Sequence, residues 1–225
     1  MKAQIERIKK SYTSHFTHKQ FVMSFLMSFG LLIISLFVSF YASAYATAAA
    51  SNPVTDIVLS NIRVYDVDWA FIDGILVFWI IASVLLLNEP KRIPFALKSI
   101  ATFVLIRSIF ITLTHIAVFP THDIIPTTGF MSYFISSDDL FFSAHTGLPF
   151  LLALIFWDEK ILRYLFIASS VFFGSIVLLG HYHYSIDVAA AFFITYAIYK
   201  ISEKLFRRDK TLFKDGIPEK LEQTS

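Results

Sequence analysis

Six long apolar stretches separated by short polar connections set the pattern of this chain. They cover about residues 21–45, 69–87, 95–119, 140–157, a stretch from the polar turn at 158–163 to about 179, and 184–200. The first of these is long enough for a bilayer crossing, which takes ~20 mostly apolar residues. The pattern therefore predicts an all-α, polytopic membrane protein with six transmembrane helices in a bundle. The flanks read as a basic N-terminal tail at 1–20, a six-helix catalytic domain at 21–200 and a charged, fraying C-terminal tail at 201–225. The small-residue stretch ASAYATAAA at 42–50 resembles a signal-peptidase site. Signal h-regions are only about 7–15 residues long, so the first apolar run is read as a retained span.

Charge placement orients the bundle. Of 19 Lys and Arg residues, five precede the first span, three lie at 88–98, two at 158–163 and seven from Lys200 onward. These are alternate connections, all on one side; Arg63 stands on the other, and Arg107 lies inside a span. Basic residues mark the cytoplasmic side, which predicts cytoplasmic termini. Composition agrees with a membrane protein: 16% charged residues against about 25% in soluble domains. With no cysteine in the chain, disulfides, thiol chemistry and Cys-based metal sites are excluded.

Against this background a few polar side chains stand out. In GHYHYSIDV, residues 180–188, His183 and Asp187 are four apart. A helix beginning near Tyr184 would put them on one face, about 5–6 Å apart. A carboxylate on one imidazole nitrogen fixes the tautomer and makes the other nitrogen a better base or nucleophile. The alternative reading is a helix start with an Asp at its positive end and histidines among lipid headgroups. His145, His115 and Asp73 fall at the same, non-cytoplasmic depth by this topology. Independent core polar groups have no reason to share a depth, so the convergence favours a site. Two histidines and an aspartate suit phosphoryl transfer through a phosphohistidine, one His attacking phosphorus and the other acting as acid and base. Arg107 either grips the phosphate or pairs with Asp73.

Two rival readings use the same residues. A proton or ion path would need polar groups at both depths of the membrane. A metal site from His181, His183 and His145 would need two rings of an H-x-H pair at a helix start to point the same way.

FFSAHT at 141–146 and HYHYSIDVAAAFFITY at 181–196 resemble the two signature segments of the sphingomyelin synthase family, within the type 2 phosphatidic acid phosphatase (lipid phosphate phosphatase) superfamily. Asp139 to Thr146 is similar to that family's D-Y-L-F-S-G-H-T segment, and His181 to Val188 to its H-D-H-Y-T-x-D-V segment. Arg107 to Pro120 echoes an R-x-I-T-x-Y-x-T-x-L-P-V-P segment, and Trp69 to Phe71 a W-A-F motif; the likeness spans about residues 56–200. It implies a metal-independent enzyme without cofactor, with His183 as nucleophile, Asp187 orienting it and His145 as acid and base. Asp73, Asp139, His181 and His115 are secondary candidates. The implied partners are a phospholipid donor, a ceramide-type hydroxyl, another lipid alcohol or water as acceptor, and the bilayer, with no nucleic acid; a homo-oligomer is left open. The implied location is a plasma, inner or Golgi-type membrane, with the active site on the non-cytoplasmic side. There are departures. Ala144 replaces the family Gly, the 120–139 loop is shorter and lacks the family's cysteines, and Asp73 sits two residues nearer W-A-F than usual. The motifs of the classical lipid phosphatases are absent from their expected places.

The topology is testable in this Cys-free chain. Single cysteines placed in the 121–139 and 158–163 loops are expected to label from opposite sides of sealed vesicles. Labelling of both from one side would overturn the orientation.

Overall fold

The computed structural model describes residues 2–121 and 140–216, and among these it is all helical. Helix α1, Lys2–Thr17, breaks at His18 before the 30-residue α2, Lys19–Ala48. A π-helical turn, Ala70–Gly74, leads into α3, Ile75–Leu87; a 3-10 turn, Pro90–Arg92, leads into α4, Ile93–Leu113. Then follow α5, Ala144–Ile155, α6, Lys160–Leu179, α7, Ser185–Leu205, and α8, Arg207–Asp215. Among the described residues, five helices are long and apolar enough to cross a membrane: α2, the Ala70–Leu87 pair, the Pro90–Leu113 pair, α6 and α7.

The sixth expected span differs. α5 has 12 residues, ~18 Å at 1.5 Å per residue, short of the ~30 Å hydrocarbon thickness. Phe141 and Phe142 both take positive φ, 126° and 25°, a backbone that cannot continue as a right-handed helix. Ser143 then caps α5, its hydroxyl accepting the Thr146 N–H. The third span also ends early, at Leu113 rather than near 119. The Thr112 and Thr114 hydroxyls donate to the carbonyls of Ile109 and Phe110, supplying donors for the last turn. Beyond them, β-branched Ile116 and Val118 and the approach to Pro120 favour extended chain. His115 therefore lies in an extended strand-like stretch, where the Ser51 N–H donates to its carbonyl at 2.8 Å.

α2 lies along α4 and buries only Phe21, Ser28, Ser35, Ala42 and Ala46. Four of these recur every seven residues, the spacing that keeps one seam against a partner helix. All but Phe21 are small, which is how helices approach closely when lipid gives no hydrophobic drive between them. The serine hydroxyls donate back to the carbonyls of Phe25 and Leu32, so neither is buried unsatisfied. The main core lies among α3 to α7 and is dense in phenylalanine, with Phe78, Phe103, Phe142, Phe156, Phe166 and Phe173 buried.

One end of the bundle is a network of ion pairs. Arg92 bridges Glu89 at 3.1 Å and Glu159 at 3.0 Å, and Lys214 meets Asp158 at 2.8 Å. Within it, the C-terminal segment Arg207–Asp215 is a docked helix rather than a frayed tail. Its Asp209 accepts from the buried Lys98 ammonium of α4 at 2.6 Å; Ser24 of α2 bonds both groups. At the other end, α4 and α6 finish and α5 and α7 begin, and this is where the candidate chemistry collects.

Removing one partner of a buried pair strands the other charge, which costs about 3–5 kcal/mol. Asp209→Ala is expected to lower unfolding stability in detergent by that order, and Lys98→Met with Asp209→Leu to recover most of it. A single variant as stable as the parent would show that this pair does not hold α8 in place.

Candidate functional site

The two sequence segments singled out above meet at the start of α7. Tyr184 is the N-cap, in extended backbone, and Asp187 is the third helical residue. Its carboxylate folds back over the helix start, where the Oδ2 atom accepts the Tyr184 N–H at 3.1 Å and faces His183 Nδ1 at 3.2 Å. His183 precedes the helix, so the pair forms through a capping geometry, not across a shared helix face. Both residues are buried, Asp187 to 1% exposure. Because a carboxylate accepts, the proton belongs on His183 Nδ1, and Nε2 carries the lone pair of the neutral ring. The Asp187 carbonyl also accepts the N–H of Ser143 at 3.1 Å. That bond ties the start of α5 to the start of α7.

His145 is the second residue of α5 and stacks on the Phe71 ring, 4.1 Å between centroids and 19° between planes. Phe71 comes from the π-helical turn before α3 and also lies 4.4 Å from the Tyr182 ring. One aromatic side chain thus bridges the histidine of the first segment and the residue beside His183 in the second. Such π-turns recur at functional sites because the extra residue redirects a side chain. Arg107, in the second half of α4 and 8% exposed, donates its Nε–H to the Phe142 carbonyl at 3.1 Å. It thereby braces the left-handed turn that launches α5.

Of the secondary candidates, His181 has a structural explanation. It occupies the residue after the α6 C-cap with φ 55°. Its N–H bonds the Leu178 carbonyl and that of Tyr182 bonds Val177, the paired pattern of a Schellman motif, where glycine is usual. Its ring meets Thr121 Oγ1 at 2.6 Å and packs edge-on to Phe119. Asp73 is exposed, and among the described residues no ion pair joins it to Arg107. His115 packs against Tyr45 near the end of α2, in the stretch that follows α4. Asp139 lies outside the described residues.

Tyr184 was not singled out from sequence, where it reads as one more aromatic. Its hydroxyl donates to the Ala117 carbonyl at 2.8 Å and accepts the Val54 N–H at 3.2 Å. Asp56 was also missed; a loop aspartate followed by apolar residues signals only a turn.

If His181 serves the turn, His181→Gly should keep activity within a few-fold and be more stable than His181→Ala, since a left-handed residue other than glycine costs roughly 1–2 kcal/mol. Thermal midpoints and turnover of both variants decide it. A glycine variant that is stable but inactive would move His181 into the chemistry.

Comparison with known proteins adds one finding. Residues 137–204 match the family model described as PAP2 superfamily C-terminal. No curated protein and no solved structure matches the chain. The match supports the type 2 phosphatidic acid phosphatase superfamily for the segment that carries His145, His183 and Asp187.

Proposed function

We propose that the protein is an integral membrane phosphotransferase of the sphingomyelin synthase type. In this reading it moves a phospholipid headgroup phosphate through a phosphohistidine. The observation that carries the reading is the buried Asp187–His183 pair at the start of α7, bonded through the Asp187 carbonyl to the segment that bears His145. The superfamily match supports lipid phosphatase or phosphotransferase chemistry and leaves the two on equal footing. Similarity of the signature segments favours transfer over simple hydrolysis.

The chemistry follows from the groups present. His183 Nε2 attacks phosphorus, a P–N bond forms, and the P–O bond to the departing lipid alcohol breaks. His145 gives that oxygen its proton. Asp187 keeps the Nδ1 proton in place and stabilises the positive charge that builds on the ring. In the second half, neutral His145 takes the proton of an incoming hydroxyl, the new P–O bond forms, and the P–N bond breaks to restore His183. Arg107 supplies a planar cation for the phosphate oxygens, a role that lysine fills poorly. The site lies at the end of the bundle opposite the Arg92, Lys98 and Lys214 network. With basic residues facing the cytoplasm, it opens to the non-cytoplasmic leaflet.

The direct test is incubation of purified protein with labelled phosphatidylcholine, phosphatidylethanolamine and phosphatidic acid, with and without ceramide, products being read by mass spectrometry. A ceramide-dependent phosphosphingolipid is the expected product. Phosphate or phospho-headgroup release that ignores ceramide would make it a hydrolase, and no turnover of any donor would overturn the reading. The division of labour has its own test. General acid help is worth about 10²–10⁴-fold and matters least for a good leaving group. A p-nitrophenyl phosphoester should therefore rescue His145→Ala far better than His183→Ala, and equal rescue would contradict the assignment. Arg107→Lys is expected to fold and to lose at least about tenfold in rate as its planar fork is lost; a lysine variant that fails to fold would mark Arg107 as structural.

A further inference from the structure

Asp56 belongs to the connection between α2 and α3, far in sequence from either signature segment, yet it is 7% exposed. Its Oδ2 atom accepts the N–H of Ser185, the first residue of α7, at 2.7 Å. Its Oδ1 atom accepts the amides of Val58 at 2.8 Å and Leu59 at 3.1 Å, which makes its own turn rigid. Leu59 packs with Tyr184 and Leu140 in a small buried cluster, so the turn is also wedged between the two segments. Burial alone would raise the pKa of this carboxyl, but hydrogen bonds from the Leu59 and Ser185 amides, the Ser185 side chain and the Val58 amide hold it below the usual range. It is a fixed anion placed on the start of the helix that carries the candidate pair.

The start of a helix offers several amides without intrahelical partners. Two carboxylates share them here, with Asp187 on Tyr184 and Asp56 on Ser185. The Asp187 atom that accepts from Tyr184 is the same Oδ2 that faces His183. A carboxylate drawn one amide further into the helix start would leave the imidazole. Asp56 occupies the Ser185 amide, the neighbouring donor at this helix start.

We propose that Asp56 is a positioning residue for the His183–Asp187 pair, acting through Asp187 by holding the Ser185 amide. This inference rests on the phosphohistidine reading of the site.

The experiment compares Asp56→Ala and Asp56→Asn, each with Asp187 intact and with Asp187→Asn. Misplacing a reacting group by ~1 Å can cost about 10²-fold, so Asp56→Ala is expected to lower kcat at least about tenfold with KM changed less than about twofold. Asp56→Asn keeps an amide-accepting oxygen without the charge and should lose only about threefold; it carries the test should the alanine variant not fold. In the Asp187→Asn background both losses should shrink to less than about twofold, because residues acting through one another are not additive. Equal proportional losses in the two backgrounds, or a loss matched by a smaller folded fraction, would show a mere structural cap. The His183 Nδ1–H resonance, read by NMR in resting protein, should shift in Asp56→Ala. That readout needs no turnover, so it stands even if no lipid donor is consumed; an unmoved resonance would overturn the positioning role.

Discussion

A buried carboxylate must find partners, and the partners of Asp187 organise this protein. Its side chain takes the Tyr184 amide and the His183 imidazole, and its carbonyl takes the Ser143 amide. An unpaired charge at 1% exposure would be among the costliest features a small bundle can carry. Satisfying it requires α7 to start at Ser185, His183 to stand just outside the helix, and α5 to begin against α7. The candidate site is built on these bonds. The α6 C-cap serves it too, since the left-handed turn at His181 delivers the next residues back across the bundle end.

The two ends of the bundle do different physical work. At the basic end, separate ion pairs of Arg92, Lys98 and Lys214 tie the turns and α8 to the bundle. At the other, the backbone is irregular: a π-turn before α3, two positive-φ residues before α5, and a left-handed residue after α6. Departures of this kind persist where the surroundings hold them, and they cluster where geometry serves chemistry. Here they orient Phe71 on His145, bring the Phe142 carbonyl to Arg107, and set His183 on Asp187.

What was legible in the sequence was whatever apolar length and charge placement encode. The long helices emerged from their runs, and the His183–Asp187 spacing marked the pair. The geometry of that pair was not legible, because a four-residue spacing fits both a helix face and a capping turn. The short α5 was hidden because FF at 141–142 is as apolar as the helix it precedes; positive φ at a phenylalanine has no compositional signal. The α2 seam was hidden because its contact residues are small rather than apolar, so periodicity in hydrophobicity does not report them. α8 looked like a solvated tail because its docking rests on contacts distant in sequence, such as Lys98 with Asp209, separated by 111 residues. Asp56 was invisible for the same reason, its partner being 129 residues away. Long-range polar contacts leave no local pattern.

The central claim is that His183 bears the phosphoryl group between donor and acceptor. The most direct measurement is to mix the protein with a headgroup-labelled phospholipid donor in the absence of acceptor, quench at alkaline pH and map the labelled peptide by mass spectrometry. The account predicts an acid-labile, alkali-stable phosphoramidate on His183. Label on His145, an acid-stable ester on a hydroxyl side chain, or turnover with no covalent adduct on rapid quench would contradict it.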